Sequence, residues 1–263
     1  MKQLLYLLKY ESKTIVRDPI NLYMALFPFI ILALASFVFP RIFKSIDPSE
    51  VATLQMTTLL LLVIILSLGA FFLAAMATFL LLEHKDESTL HTIAVTPLGI
   101  SGYIKFKMSY IYILGVISTI IVLLGTKLIA GDQYVIGDVS LFDQIGFIKI
   151  ITFSLVSNLF TPTLGLLLAS LAKNKIEGFA FIKGTGLIAL LPALLILETF
   201  QGGLQYLLGI FPNFWAIKGM MQVLYPVENS ANLNFTMYLI IGFIYNVVVL
   251  VAAYKLFLKK AQY

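Results

Sequence analysis

The chain has 263 residues, 60% of them hydrophobic and only 12% charged, with a mean hydropathy of +0.98. Soluble domains run about half apolar and about a quarter charged, so this composition argues against a soluble enzyme, a nucleic-acid-binding domain and a disordered chain. The net charge of +5 has a plainer source than nucleic acid, because Lys and Arg collect on the cytoplasmic loops of polytopic membrane proteins. The absence of cysteine removes disulfides, thiol catalysis and thiolate metal sites and fits a bacterial inner-membrane protein.

Residues 1–18 form an amphipathic pattern, with Leu4, Leu5, Leu8, Ile15 and Val16 on one helical face and Lys2, Lys9, Lys13 and Arg17 on another. Such a helix lies in the membrane interface with its basic stripe on anionic lipid headgroups. Asp18-Pro19 ends it, since proline disfavours helix in the residue before it. The apolar run that follows contains Ala33-Leu34-Ala35, but this cleavage-like triplet is buried in the run and does not mark a signal peptide. Long neutral stretches between charges then define six membrane spans, at about 22–40, 58–82, 108–127, 148–172, 179–198 and 236–257. Lys183 falls near the start of the fifth, where its ammonium can snorkel to the headgroups. A seventh uncharged stretch, 199–217, is broken by Gly202-Gly203, Gly209 and Pro212.

Charge bias decides whether that stretch crosses. With six spans and the N-terminus inside, 13 of the 18 basic residues are cytoplasmic; a seventh crossing would move Lys255, Lys259 and Lys260 outside. The expectation is therefore an all-α integral membrane protein and a single transmembrane domain over 1–263. It has an N-terminal interfacial helix, both termini cytoplasmic and 199–217 as an outer re-entrant hairpin. Glu198 marks the start of that hairpin, and its aromatic residues, Phe211 and Trp215 among them, suit an interfacial anchor or an outer gate.

The loop 83–107 carries the densest chemistry: a charged cluster (Glu83, Lys85, Asp86, Glu87), an amphipathic segment through Val95, then Thr96-Pro97-Leu98-Gly99 as a stop. A short surface helix held between two spans can take a push from a cytoplasmic partner; an ordinary hydrophilic loop is the plainer alternative. His84, Glu87 or Ser88, and His91 could share a face and bind a metal, but two histidines without an HExxH pattern make a solvated surface the better reading. Within the membrane, Asn158, Thr161 and Thr163 of the fourth span and Asn246 of the sixth are candidates for a translocation path. Polar groups in hydrocarbon face a bundle interior or a cavity, and helix–helix hydrogen bonding is the competing role. Ala70, Ala74 and Thr78, like Gly165 and Ala169, form stripes of small residues that allow close helix packing.

The loop resembles the ABC type 2 permease pattern in Glu83, Lys85 and Glu87, then Thr89-Leu90, Ile93, Val95, Thr96-Pro97-Leu98 and Lys105 or Lys107, with Ser88 where that family usually has glycine. The amphipathic N-terminus, six spans and a broken segment before the last are similar too. The resemblance implies a coupling helix over 86–95 docked on a separate ATPase subunit. Glu83, Lys85, Asp86, Glu87, Thr89, Leu90, His91 and Ile93 would then be the coupling residues. It also implies two ATPase chains carrying ATP and Mg, a second permease chain (the same or a different one), and export of drugs, antibiotics, lipids or glycans. No glycine is followed by lysine, so the chain lacks the phosphate-cradling loop of an ATPase, and the expectation is a transport subunit, not an enzyme, holding no cofactor itself. A secondary transporter or channel is the alternative; it calls for midplane charges or internal repeats, and neither is evident in the sequence.

Overall fold

The computed structural model describes residues 2–47, 50–87, 89–136, 139–200, 202–224 and 233–261. Ser88, Asp138 and Glu228 lie outside them, as do the side chains of Lys2, Leu4, Leu5, His91 and Glu198. The described chain is helical throughout, apart from a two-residue antiparallel ladder pairing β1 (Val135–Ile136) with β2 (Val139–Ser140). Among the described residues six helices are long and apolar enough to cross a bilayer.

Helix α1 (Lys2–Arg17) gives way to α2 (Pro19–Ala33) at Asp18. The Asp18 carboxylate accepts from the backbone N–H groups of Ile20 and Asn21 at 2.8 and 3.3 Å, and Pro19 occupies the first helical position, where its missing N–H costs nothing. One dipeptide thus ends one helix and caps the next. The first span continues through a π-helical turn at Leu34–Val38 into α3 (Phe39–Ser45). Widening the turn alters the i→i−4 ladder, and the Tyr134 hydroxyl donates to the carbonyl of Ala35 there at 2.5 Å.

Helix α4 (Val51–Asp86) and helix α6 (Gly99–Ala130) both run beyond the sequence-derived spans. The charged residues that delimit hydrocarbon do not stop a helix; they carry it out of the membrane. Between them stand only the short α5 (Leu90–Ala94) and two turns. At the second turn Gly99 takes φ +62°, the left-handed conformation that disfavours any residue with a Cβ, with its N–H donated to the Thr96 carbonyl at 3.1 Å.

The fourth span is two helices, α7 (Phe147–Ser157) and α8 (Phe160–Leu171). The break falls where Asn158 caps α7 and Pro162 enters the first turn of α8, a position that needs no proline N–H. Helix α9 (Lys175–Ala189) then dissolves into 3₁₀ turns at Leu191–Ile196, Glu198–Phe200 and Gly203–Ile210 before α10 (Phe214–Leu224) and the final α11 (Phe235–Ala261). At 11 residues, α10 is about 16 Å long, half of a hydrocarbon core of about 30 Å. Its N-terminal approach is tied by two side-chain amides: Asn213 donates to the Ala189 carbonyl and Asn246 to the Pro212 carbonyl, both at 2.9 Å.

Two apolar cores stack along the bundle. One gathers α2, α4 and α6 with Phe153, Phe214 and Met220 at the α10 end; the other gathers Met76, Leu80, Ile104, Phe160 and Phe257 at the α5 end. Helix α4 runs through both. Its closest neighbour is α8, and the two small-residue stripes meet there: a Cβ on Gly165 would lie 2.6 Å from the Ala77 Cβ and 3.3 Å from the Ala74 carbonyl oxygen. Thr78, in the α4 stripe, returns its hydroxyl to Ala74 O at 3.0 Å and faces Gly165 O at 3.5 Å.

Gly165→Val should therefore force α4 and α8 apart and lower stability by about 1–3 kcal/mol, whereas Gly184→Ala, at a position with open space, should be neutral; thermal unfolding in detergent micelles compares them. Lys218 on α10 is 7% exposed and forms no ion pair with the described residues, so Lys218→Met, which removes a buried unpaired charge, should raise the unfolding temperature at pH 7.

Candidate functional site

The residues of the 83–107 loop gather at the end of the bundle where α4, α5, α6 and α1 meet. Lys107, on the first turns of α6, and Glu11, on α1, are each 1% exposed and form an ion pair at 3.4 Å. The Lys107 ammonium has three protons and three acceptors: Glu11 Oε1 at 3.4 Å, the Leu80 carbonyl at 3.1 Å and His84 Nε2 at 3.1 Å. With Nε2 accepting, the imidazole proton belongs on Nδ1, which stands 2.8 Å from the Thr89 hydroxyl at the entrance to α5. The Tyr103 hydroxyl closes the cluster, donating to Glu11 Oε1 at 3.1 Å and lying 2.6 Å from His84 Nε2. A continuous polar chain thus runs from α1 through α6 and the end of α4 to α5.

The rest of the charged cluster turns towards α8 and α9. Lys85 donates to the last carbonyls of α8, Ala169 at 2.5 Å and Ala172 at 3.1 Å, where a cation also suits the negative end of the helix dipole. Its ammonium lies 5.2 Å from the centre of the Phe257 ring on α11. Asp86 accepts from the backbone N–H of Lys175 at 3.1 Å, the first residue of α9. Glu83 stands 3.9 Å from the Lys175 ammonium, an ion pair too long to be a hydrogen bond. Asn174 and Glu177 complete the turn, with Asn174 accepting from Glu177 N and Glu177 from Lys173 N.

Within α5 the faces separate. Leu90 is 7% exposed and packs inward; Thr89 is engaged by His84, and Ile93 is half-buried. Glu87, Thr92, Ala94 and Val95 point out, Val95 at 85% exposure. The expected helix over 86–95 is thus a single turn, Leu90–Ala94, anchored by Leu90 and presenting Thr92 and Val95. Sequence reasoning missed Glu11 and Tyr103, which close the network, and had Lys107 only as one of two lysines in the loop pattern. The one available signal was Glu11 itself, the sole acid in a basic amphipathic helix.

The intramembrane candidates are all fully buried within this one chain. Asn158 donates to the Thr119 hydroxyl at 2.9 Å and the Ser154 carbonyl at 2.8 Å. Thr163 bonds the Leu159 carbonyl at 2.7 Å, and Thr161 reaches Asn158 Oδ1 at 3.5 Å. Asn246 ties α11 to the α10 hairpin as described above. Trp215 stacks on Tyr206 with 6.1 Å between ring centres and donates its indole N–H to the Gly209 carbonyl at 2.9 Å; Phe211 is half-buried.

The ion pair predicts an asymmetric response. Glu11→Ala leaves Lys107 charged and unpaired in the interior and should cost about 3–5 kcal/mol, while the double replacement Glu11→Met with Lys107→Met should cost much less; thermal unfolding of the purified protein distinguishes the two.

The profile of a permease family described as "Fluoroquinolones export permease protein Rv2686c-like" matches residues 11–254. Fluoroquinolones export permease protein Rv2686c of Mycobacterium tuberculosis strain ATCC 25618 / H37Rv is 26% identical over 211 residues, covering 79% of this chain and 72% of the relative. Fluoroquinolones export permease protein MT2760 of strain CDC 1551 / Oshkosh aligns with the same identity and coverage. The match takes in α1 from Glu11, the α5 turn and most of α11, and it agrees with the ABC type 2 resemblance of the loop. This chain belongs to the Rv2686c-like export permease family, a group of multi-pass membrane transport proteins of the ABC type 2 class.

Proposed function

We propose that the chain is the membrane-spanning subunit of an ATP-driven exporter, with α5 as the element through which a separate ATPase moves it. The carrying observation is the mounting of α5: an exposed face, Thr92 and Val95, on a turn fixed underneath by Leu90 and wired through Thr89 and His84 to the buried Lys107–Glu11 pair. A force on Val95 meets a polar network that spans four helices, so it is delivered to α1, α4 and α6 together. An unsupported loop would absorb the same force by bending. Lys85, Asp86 and Glu83 extend the connection to α8 and α9. In this reading Glu87, Thr92 and Val95 touch the ATPase, while Glu83, Lys85, Asp86, Thr89, Leu90 and Ile93 set the position of the helix. The side chain of His91 would join one group or the other.

The complete transporter would hold two ATPase chains, which bind ATP and Mg, and two permease chains. The polar residues of the fourth and sixth spans are occupied inside one chain, which supports a path formed between two copies. The family description favours a hydrophobic or amphipathic drug-like cargo moving outwards across a bacterial inner membrane. The positive bias of the α5 end favours both termini in the cytoplasm, α1 on the inner leaflet and the α10 hairpin as a half-membrane element on the outer side. There Trp215, packed on Gly209 and stacked on Tyr206, would brace the outer gate together with Phe211.

The test is to co-purify the chain with its ATPase and measure hydrolysis and drug efflux in proteoliposomes. Val95→Asp and Thr92→Arg should each cut ATPase stimulation at least about tenfold, the effect of ~1.4 kcal/mol at the interface, with unchanged thermal unfolding because neither side chain is buried. Efflux that persists in these variants, or that runs on an ion gradient without ATP, would overturn the assignment.

A further inference from the structure

On the flank of the bundle away from α4, helices α6, α8 and α11 enclose a groove of about 280 Å³. Its walls are helical stripes. Lys105 and Ser109 lie one turn apart on α6, Pro162 and Leu166 one turn apart on α8, and Leu250 and Tyr254 one turn apart on α11. The lining is polar at one end and apolar along the rest. The polar end is the α5 end of the bundle, where Ser101 and Tyr254 hydroxyls lie 2.7 Å apart and the exposed Lys105 ammonium stands 5.8 Å from the centre of the Tyr254 ring.

Charge, floor and surroundings select the occupant. Lys255, exposed, follows Tyr254 and lies one turn beyond the groove residue Val251, so two cations stand at the mouth, and no acidic residue is part of the lining. The floor is closed: Gly165, next to Leu166, is in near-backbone contact with α4, so nothing entering from this side passes through the bundle. The groove opens instead on the two spans least enclosed by the protein together with the fifth, α6 and α11, whose apolar windows are 28% and 22% buried; in a membrane those faces meet acyl chains. Ser109 sits about 6 Å deeper than Lys105 along the helix axis, at the level where glycerol esters follow a phosphate into the bilayer. The Tyr112 hydroxyl is already donated to the Leu155 carbonyl, so below Ser109 the wall offers only apolar surface.

We propose that this groove is a binding site for one anionic phospholipid of the leaflet at the α5 end, its phosphate between Lys105 and Lys255 and one acyl chain laid along Pro162, Leu166 and Leu250. Lipid in this position holds α11 against α6 and α8 from outside, at the end of the bundle where Lys85 joins α4 to α8 and α11 from inside. The assignment stands on charge and shape and does not depend on coupling to ATP.

The purified chain, exchanged through nanodiscs of either phosphatidylglycerol or phosphatidylcholine and then released into mild detergent, is analysed by native mass spectrometry. The wild type should retain one phosphatidylglycerol per chain and little phosphatidylcholine. The double variant Lys105→Glu, Lys255→Glu, which reverses the charge at the mouth, and Val251→Trp, which fills the channel from an exposed position, should each lower retained phosphatidylglycerol at least tenfold, with thermal unfolding in lipid-free detergent unchanged. Equal retention by all three proteins would overturn the proposal, as would phosphatidylcholine held as firmly as phosphatidylglycerol. It also falls if Val251→Trp shifts the oligomeric mass while the lipid stays, which makes the groove a contact between copies. Loss of drug binding with the lipid retained makes it a drug site and overturns the proposal equally.

Discussion

A lysine and a glutamate that are each 1% exposed, 3.4 Å apart at one end of a hydrophobic bundle, set the terms for everything around them. Two charges can be kept there only if their remaining protons and lone pairs are satisfied, and that demand draws in Leu80 O and His84 from two successive turns of α4 and Tyr103 from α6. Helix α1, which by composition belongs on the membrane surface, becomes part of the fold because its single acid is a member of this cluster. Through the other nitrogen of His84, the same cluster fixes the entrance to α5. The position of α5, and with it the exposed Val95, is thereby a consequence of the buried pair.

The membrane imposes a second constraint with the same logic. No water is available in hydrocarbon to satisfy a broken helix, and each break here has a named side chain in attendance. The π turn of the first span has Tyr134, the split fourth span has Asn158, and the end of α9 has Asn213. The chain tolerates interrupted spans because tyrosine and asparagine, from a neighbouring element or from the break itself, reach the carbonyls left over. The close seam of α4 on α8 at Gly165 then supplies the rigid spine against which these softer spans are set.

The pattern of this architecture was legible where it rested on local chemistry. Charge gaps located six spans, Asp18-Pro19 located the α1–α2 corner, Thr96-Pro97-Leu98-Gly99 located the stop after α5, and the small-residue stripes pointed to close packing. Span ends were less legible, because Glu83, His84, Lys85 and Asp86 mark the edge of hydrocarbon yet remain helical to Asp86. The partners of those same residues were not legible at all. Whether Lys85 faces a solvent partner or caps α8 depends on a helix 84 residues away in the chain, and no spacing within the loop encodes that. Glu11 was visible only as an acid ahead of the first span and Lys107 only as one of two lysines in the loop after the second; their pairing is a product of the fold.

The same distinction bears on how a mechanical role divides among the loop residues. A motif groups Glu83 to Ile93 as one unit, but burial splits them into a load-bearing set turned into the bundle and a small set turned out. Substitution in the inner set alters packing first and any docking second, so loss of function there cannot separate coupling from folding. The outer residues, Glu87, Thr92 and Val95, lack this ambiguity: each is exposed, and no side-chain hydrogen bond joins Thr92 to the described residues. Their value as probes follows from the depth of Leu90 beneath them. That anchor keeps the turn in place whichever residues occupy its outer face, so an effect seen at Thr92 or Val95 reports on what lies outside the chain.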